Sequence, residues 1–414
     1  MKIWLIKDGE PLPVGSNNDR LLRIGILANT LGALDHQVTW WSSTFNHHKK
    51  IFRNTKNISE KYSKNLTINQ IHSPGYKKNI SFKRMFHNFV VAKRFNRLAK
   101  QSEKPDVILC CLPTIELAKR AVEYANSYNI PVIIDLRDMW PDIFLYSVPS
   151  KLRWLARIIF FNQFKQMRYV CANATNLVGV SEGFLQWGLE YAGRVRNVDD
   201  EVFPLGYVDM FHADSMMRNK ENIFWEKYGL SREDFIIVYA GSLSSKINFE
   251  PIIEAVSEIG PCVKLVIAGL GDTYKDLVRE TRDIDNIILT GWLNKDQLSG
   301  LLDVAKIGLY PYPNRKDFSD HLPNKFIEYL CSGTLVLSRV DSFEMKSFFE
   351  KYSCGFTYTD NVDSLVKLIK ELIFDKDKLE KLSRYARQTY IEKFDAKNVY
   401  GRMANYIECL ARRK

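Results

Sequence analysis

Short runs of apolar residues alternate along this chain with longer stretches in which apolar positions recur every three or four residues. In the first half, residues 2–6, 37–42, 107–112, 132–135 and 176–180 are apolar runs of strand length. Residues 19–34 and 115–127 carry helical periodicity, the former with Leu21, Leu22, Ile24, Ile26, Leu27 and Leu31 on its apolar side. Apolar runs of this length, alternating with amphipathic helices, predict strands buried on both faces of a parallel sheet. After Val208 the pattern restarts. Strands are expected at 235–240, 263–268, 287–290, 307–311 and 335–338, and helices at 249–259, 272–281, 295–305 and 324–332, with helices alone from there to the end. The fold class is therefore α/β: two Rossmann-like doubly wound domains with an interdomain cleft. The expected domains are 1–208 and 222–390, with a linker around 209–221 and a closing helix, 391–414, returning to the first domain.

The length of 414 residues, 46% of them hydrophobic, is more than one core usually holds. The 26% of charged residues is close to the globular average, and nothing in the composition suggests a disordered or fibrous chain. A net charge of +11 favours phosphate in some form, whether nucleic acid, nucleotide or anionic lipid, and does not choose among them. Seven cysteines, an odd number with no CxxC pair, read as buried free thiols in a reducing compartment rather than as a zinc site or a disulfide framework. The apolar run at the N-terminus is too short for a signal peptide, and no stretch approaches the roughly 20 apolar residues of a membrane span. The expectation is a soluble or peripheral cytoplasmic protein.

Ligands of open parallel sheets bind beyond the carboxyl ends of the strands, so the loops there are where chemistry is sought. Five stand out. The first, 9–18, contains Gly15 and Ser16 before a helix start, where free N–H groups favour an anion. It is not a GxGxxG, so no nicotinamide cofactor is indicated. The second holds Asp135, Arg137, Asp138 and Trp140, a charge density suited to sugar hydroxyls or proton transfer, or to a salt-bridge cluster. The third, 239–246, offers Ser242 and Lys246, the lysine as a point charge for phosphate. In the fourth, Gly291 frees the backbone near Trp292 and Leu293 to face a nucleobase, while the Trp292 side chain reads first as a packing residue. The fifth places Pro323 at a helix start, with Asn324 and Lys325 in its first turn and Glu328 one turn inside. A carboxylate there can accept hydrogen bonds from both ribose hydroxyls.

In order and spacing these loops resemble glycosyltransferase family 4, of GT-B fold, and more narrowly bacterial transferases of O-antigen and capsule assembly of the N-acetylfucosamine transferase type. The stretches that carry the resemblance run over nearly the whole chain: Gly9-Glu-Pro-Leu-Pro, His36-Gln-Val-Thr, Phe45-Asn-His47-His48-Lys49, Asp135-Leu-Arg-Asp-Met-Trp-Pro, Gly179-Val-Ser181-Glu182, Phe203-Pro-Leu-Gly206-Tyr-Val-Asp209, Ala268-Gly-Leu-Gly271-Asp, Thr290-Gly291 and the segment 322–333. The resemblance implies a metal-independent transferase that retains anomeric configuration and uses no cofactor beyond a nucleotide-sugar donor, with UDP as its nucleotide and an N-acetylated amino sugar preferred. It places Glu328 as the second glutamate of an E-x7-E pair on the ribose, with Asp320 in the first position beside the transferred sugar. Lys246 matches the family's phosphate-binding lysine. Ser242 stands where the family has an arginine, leaving Lys325 and the amides around Asn324 to replace it. Asp138 occupies the neighbourhood of a first-domain histidine and, with Asp320, is assigned the orientation of reacting groups. The leaving diphosphate would be stabilised by the helix N-terminus and the lysines.

Two basic, aromatic stretches in the first domain, 77–100 and 151–168, contain no acidic residue. As helices they would present Lys83, Arg84, Phe86, Lys93, Arg94, Arg153, Trp154, Arg157 and Phe161 to an anionic membrane surface, here the inner face of the cytoplasmic membrane. The resemblance points the same way, to a polyprenyl-diphosphate-linked glycan as acceptor. A transferase acting on a soluble acceptor, a nucleotide-sugar epimerase and a non-catalytic scaffold share the fold. The interleaving of basic and aromatic residues also suits nucleic acid, but no nucleic-acid-binding motif accompanies it, and none is expected as a partner.

Overall fold

The structure is a computed structural model that describes residues 1–414 except 15–19, 80, 147, 210–224, 226–227, 232, 321 and 414. It forms two units, Met1–Pro204 with Lys397–Lys414, and Leu205–Ala396.

The first unit is built on an eight-stranded sheet of β1 (Lys2–Ile6), β2 (Gln37–Ser43), β5 (Ile58–Lys61), β6 (Leu66–Ile71), β7 (Val107–Cys111), β8 (Val132–Leu136), β9 (Asn176–Gly179) and β10 (Glu201–Val202). The spatial order is β10-β9-β8-β7-β1-β2-β6-β5. Two short strands, β3 (Phe45–Asn46) and β4 (Ile51–Phe52), make a separate antiparallel ribbon. All sheet pairings are parallel except the edge strand β5, which runs against β6 with Ile58 opposite Gln70. Strands β7 and β8 are buried at every position, as their uninterrupted apolar sequences require. Large rings fill the layer beneath β1: Trp4 meets Trp41 edge-on at 5.2 Å and stacks on Tyr124 at 5.1 Å. The order of connection reverses between β1 and β7, which puts the loops after those strands at the switch point.

The second unit has a six-stranded parallel sheet of β11 (Phe235–Ala240), β12 (Val263–Ala268), β13 (Ile287–Gly291), β14 (Ile307–Tyr310), β15 (Leu335–Ser338) and β16 (Gly355–Thr357), in the order β13-β12-β11-β14-β15-β16. Its switch point lies between β11 and β14, where Ile237 pairs with Ile307. The helix Asn324–Ser332 packs its apolar face, Phe326, Ile327 and Leu330, into one core of this unit, and Gly333 closes it in the left-handed conformation.

Several strands and helices fall on the residues their patterns predict, among them β1, β11, β12, β15 and the helices Ile115–Ser127 and Asn324–Ser332. Three expectations change. The stretch after 338 is not all helix, because the three-residue β16 adds to β15. Strands β5 and β6 carry no unbroken apolar run: β6 mixes polar and apolar residues, and β5 is wholly exposed. Cys262 and Cys409 are exposed, while the other five cysteines are buried and all seven are free. The expected linker, 209–221, lies outside the described residues from 210 onward.

The chain changes units at Pro204 and again at Ala396. Tyr207 belongs to the second unit: its N–H donates to the Phe394 carbonyl at 2.9 Å, and its own carbonyl accepts the Tyr390 hydroxyl at 2.8 Å. The helix Ala396–Arg412 then rejoins the first unit, where the Tyr406 hydroxyl donates to the Asp199 carbonyl at 2.6 Å and its ring packs on Phe203 at 5.2 Å.

Candidate functional site

In the first unit, the charges at the strand ends bind one another. Asp135, at the end of β8, is fully buried, and its two carboxylate oxygens accept from Arg23 Nε and Nη2 at 2.9 and 3.0 Å. The Arg23 Nη1 group donates to the Pro204 carbonyl at 2.8 Å. Arg137 pairs with the buried Glu10, whose other oxygen accepts the Ile24 N–H at 3.0 Å and so anchors the start of the helix Arg23–Ala33. Lys7 is buried as well, with Nζ donating to the Leu112 carbonyl at 3.0 Å; burial and then Arg137 pull its pKa down. Of the two residues expected on the acceptor side, Asp135 thus has both oxygens engaged within the fold and Arg137 has its Nη1 held by Glu10. Asp142 is held likewise by Trp187 and Tyr191 at 2.9 and 2.7 Å. Asp138 differs, because its side chain is exposed beyond β8. Trp140 lies over the Arg84 guanidinium, 4.4 Å from its ring centre. Gly15 and Ser16 lie outside the described residues.

In the second unit, the strand-end loops are zipped together through glycine. Gly241 follows β11 with φ +154, and a Cβ there would fall on Lys325 Nζ; a Cβ on Gly269 would collide with the Gly241 carbonyl. The Gly269 N–H donates to the Gly291 carbonyl at 2.8 Å, which ties the ends of β12 and β13. This close approach lets Lys325, from the first turn of the helix Asn324–Ser332, reach across to the end of β11. Its Nζ donates to the hydroxyls of Tyr239 and Tyr312 at 2.9 and 3.0 Å, with the Tyr239 ring centre 4.0 Å away. Burial lowers its pKa, and Tyr312 and Glu328 only partly offset that. An ammonium has three donors, so a third remains beyond the two phenols. Tyr239 passes its own proton to the Ser242 carbonyl at 2.9 Å, which fixes the loop. Ser242 itself is exposed and brings no charge; Lys325 is the cation held against the Tyr239 end of this loop.

The other expected donor contacts gather around the same place. Asn324 opens the helix, and Pro323 precedes it without a side-chain cap; the Phe326 N–H donates to the Pro323 carbonyl at 3.0 Å, which leaves the N–H groups of Asn324 and Lys325 as those with no acceptor in the helix. Glu328 is buried one turn inside. Lys246 is exposed, with Nζ 6.0 Å from the centre of Phe318, a ring that also carries Arg315 at 4.9 Å and stacks on Tyr312 at 4.8 Å. Asp320 accepts from the Ser319 hydroxyl at 2.7 Å, and burial raises its pKa against the pull of Ser319 and Lys316. Trp292 does not pack: it is 77% exposed, while its neighbour Leu293 is the one that packs on the core. Position explains the exchange, since Gly291 turns the chain at φ +69 and sends Trp292 outward. Tyr239, Tyr312 and Arg315 were not singled out from the sequence. A tyrosine inside or just after an apolar strand looks like core until its hydroxyl is seen to have a cation beside it.

The two basic stretches form helices, Phe82–Ala99 and then Arg153–Ile159 with Phe161–Asn173. Large apolar side chains stand out from them, Phe82 at 82% exposed, Trp154 at 63%, Ile158 at 63% and Phe161 at 61%, with Phe86 also exposed. Lys83, Lys93, Arg153 and Arg157 are exposed among them. Arg84 and Arg94 are not part of this surface. Arg84 is folded in over Trp140 and Tyr76, and Arg94 donates to the His72 carbonyl. Among the described residues no helix is long and apolar enough to cross a membrane.

Residues 219–389 match the family model of glycosyl transferases, group 1. No curated protein matches the chain. Among solved structures, sucrose-phosphate synthase from Thermosynechococcus elongatus is similar over 100% of both chains, with a TM-score of 0.73 at 14% identity. The Anabaena protein HepE, solved with UDP, matches over 99% of this chain and 100% of its own, with a TM-score of 0.68 at 12% identity. WaaG, a glycosyltransferase involved in lipopolysaccharide biosynthesis, matches over 98% and 99%, with a TM-score of 0.63 at 13% identity. The fold is GT-B, with two parallel-sheet Rossmann-like domains.

Proposed function

We propose that the protein is a retaining glycosyltransferase that moves a sugar from a UDP-sugar to a polyprenyl-diphosphate-linked glycan in the assembly of a cell-surface polysaccharide. The observation that carries this is the Lys325 ammonium, half-buried against two phenols at the switch point of the second sheet and next to a helix N-terminus, with Glu328 one turn behind it. A diphosphate takes the third Lys325 donor and the first-turn N–H groups, and Glu328 accepts from the ribose. Lys246 supplies further positive charge beside Phe318. Gly291 and the exposed Trp292 offer a backbone edge and a ring to the base. Negative charge developing on the departing diphosphate is then met by donors already in place, which needs no metal ion. Asp320 orients the donor sugar and Asp138 the acceptor hydroxyl. The N-acetylated amino sugar and the lipid-linked acceptor rest on the family resemblance, and UDP is in keeping with HepE, solved with UDP-glucose. The apolar and basic helices of the first unit hold the protein on an anionic membrane at its cytoplasmic face.

Thermal unfolding with UDP, GDP, ADP and dTDP, each with and without magnesium, tests the donor site. UDP alone is expected to raise the midpoint, equally without metal, and Glu328→Ala to abolish the rise. A rise that requires magnesium, or one that persists undiminished in Glu328→Ala, overturns the assignment.

A further inference from the structure

The segment His47–Lys50 takes no part in the site described above, yet it meets Arg84 in a cluster of positive charge around one buried ring. Lys50 Nζ lies 4.7 Å from the centre of Tyr76, and the Arg84 guanidinium lies 5.5 Å from it. His47 Nδ1 is 2.5 Å from the Tyr76 hydroxyl. Both cations also hold Asn79, Lys50 through the side-chain oxygen at 2.6 Å and Arg84 through the carbonyl at 2.8 Å. Among the described residues, neither Lys50 nor Arg84 forms an ion pair, and the buried Arg84 Nε has no hydrogen-bond partner. Two carboxylates act on the cluster from outside it. Glu116 is bonded to Asn88 and Gln163, and burial raises its pKa; Asp8 is held by His87 and Ser43. The electrostatic consequence is legible in His47, whose pKa is pushed down to about 3 by burial and then by Lys50, Arg84 and His48. Like charges brought together without a counter-ion are costly unless an anion joins them.

The same Arg84 and Asn79 form one wall of an apolar cavity of about 310 Å³, closed by Phe82, Trp140, Phe144 and Phe160. Its floor is aromatic: Phe144 stacks on Phe160 at 4.1 Å, and Trp140 meets Phe144 edge-on at 4.8 Å. Its rim is Phe82, which belongs to the exposed apolar surface. A basic cluster without an ion pair of its own, sharing Arg84 and Asn79 with an aromatic-lined cavity, matches the chemistry of a phosphate ester with an apolar chain attached.

We propose that Lys50, Arg84 and His47 bind the phosphate of the lipid-linked acceptor, and that the adjoining cavity takes the first part of its hydrocarbon chain. This rests on the reading of the acceptor as lipid-linked. Phosphate contact fixes where the chain ends and the glycan begins, so the same residues set how far the acceptor sugar stands from the membrane surface.

Equilibrium binding of the full-length protein to farnesyl diphosphate, farnesol and inorganic diphosphate tests it, using Lys50→Met, Arg84→Gln and Phe82→Ser with their folding checked by circular dichroism. Farnesyl diphosphate is expected to bind saturably and at least tenfold more tightly than either fragment. Lys50→Met and Arg84→Gln should each weaken it tenfold or more, and the exposed Phe82→Ser several-fold while folding normally. Equal binding of inorganic diphosphate would mean a free-anion site, equal binding of farnesol a purely apolar one. Undiminished binding by all three variants, or none by the parent protein, also overturns the proposal. UDP stabilisation measured on the same samples separates the two readings: if UDP binds and farnesyl diphosphate does not, only the acceptor site falls.

Discussion

At the end of β8 a carboxylate, Asp135, is buried with both oxygens held by Arg23; at the end of β11 a lysine, Lys325, is half-buried against two phenols. Both are charges at the carboxyl ends of parallel strands, the place where such sheets bind ligands. The difference is in what is left over. Asp135 meets a full opposite charge through two hydrogen bonds, and nothing of it remains for a ligand. Lys325 has neutral acceptors, keeps its positive charge and retains a donor. Charge at a strand end therefore does not by itself mark a site. An ion whose partners leave it charged marks one better.

The largest effect expected from this contrast is on stability. Arg23→Ala leaves Asp135 buried without its partner and should cost about 3–5 kcal/mol in urea unfolding, with much of it recovered in Arg23→Met/Asp135→Leu. UDP affinity of the protein that remains folded should be unchanged; a variant that kept its stability and lost UDP would reverse the roles. Lys325→Met is the mirror test. It should weaken UDP at least tenfold, about 1.4 kcal/mol by calorimetry, with a smaller change in unfolding. Lost stability with intact UDP binding would make Lys325 a strut like Asp135.

On the outer face of the first unit, Trp154→Ser/Ile158→Ser should reduce binding to anionic vesicles several-fold in sedimentation, and raised salt should reduce it further. Vesicle binding that ignores both changes removes the membrane contact. A smaller effect concerns Asp8. Burial alone would raise its pKa, but hydrogen bonds and charge from His87 and Ser43 hold it well below the usual carboxylate range. As pH falls below about 4 the unfolded chain takes up this proton first. The stability from Asp8 is thus complete above that pH and is lost as pH falls toward the folded value. Asp8→Asn should flatten the acid limb of a stability–pH curve; an unchanged limb would show that other carboxylates set it. Smallest is Trp292→Ala, which should shift unfolding by less than about 0.5 kcal/mol because the ring is exposed. A several-fold loss of UDP affinity beside that silence would identify the ring as a base contact.

The alternation of buried strands and helices was legible because parallel strands covered on both faces need unbroken apolar runs such as Val107–Cys111. The edge strand β5 was not, since Ile58–Lys61 is wholly exposed and held by backbone pairing to β6. At the candidate site, the sequence singles out loops but not the partners of their side chains. Asp135 and Arg137 look like ligand groups until Arg23 and Glu10, more than a hundred residues away in the chain, are seen to meet them. Trp292 looks like core until Gly291 turns it out. Lys325 could be suspected from its place in a helix start, but its cage could not: Tyr239 and Tyr312 come together only through the order of β11 and β14. Pairings of this range carry no local signature.

The helix Ala396–Arg412 has a consequence for how the protein comes into being. Synthesis proceeds from the N-terminus, and the unit that begins first receives its last element only after the other has been made in full. Until Tyr406 reaches Phe203 and the carbonyl of Asp199, the older half of the molecule presents the surface meant for that helix. The younger half, continuous from Leu205 to Ala396, has no such wait. On the ribosome the order of completion is thus the reverse of the order of translation, and a premature stop after residue 396 injures the part of the protein furthest from it in sequence.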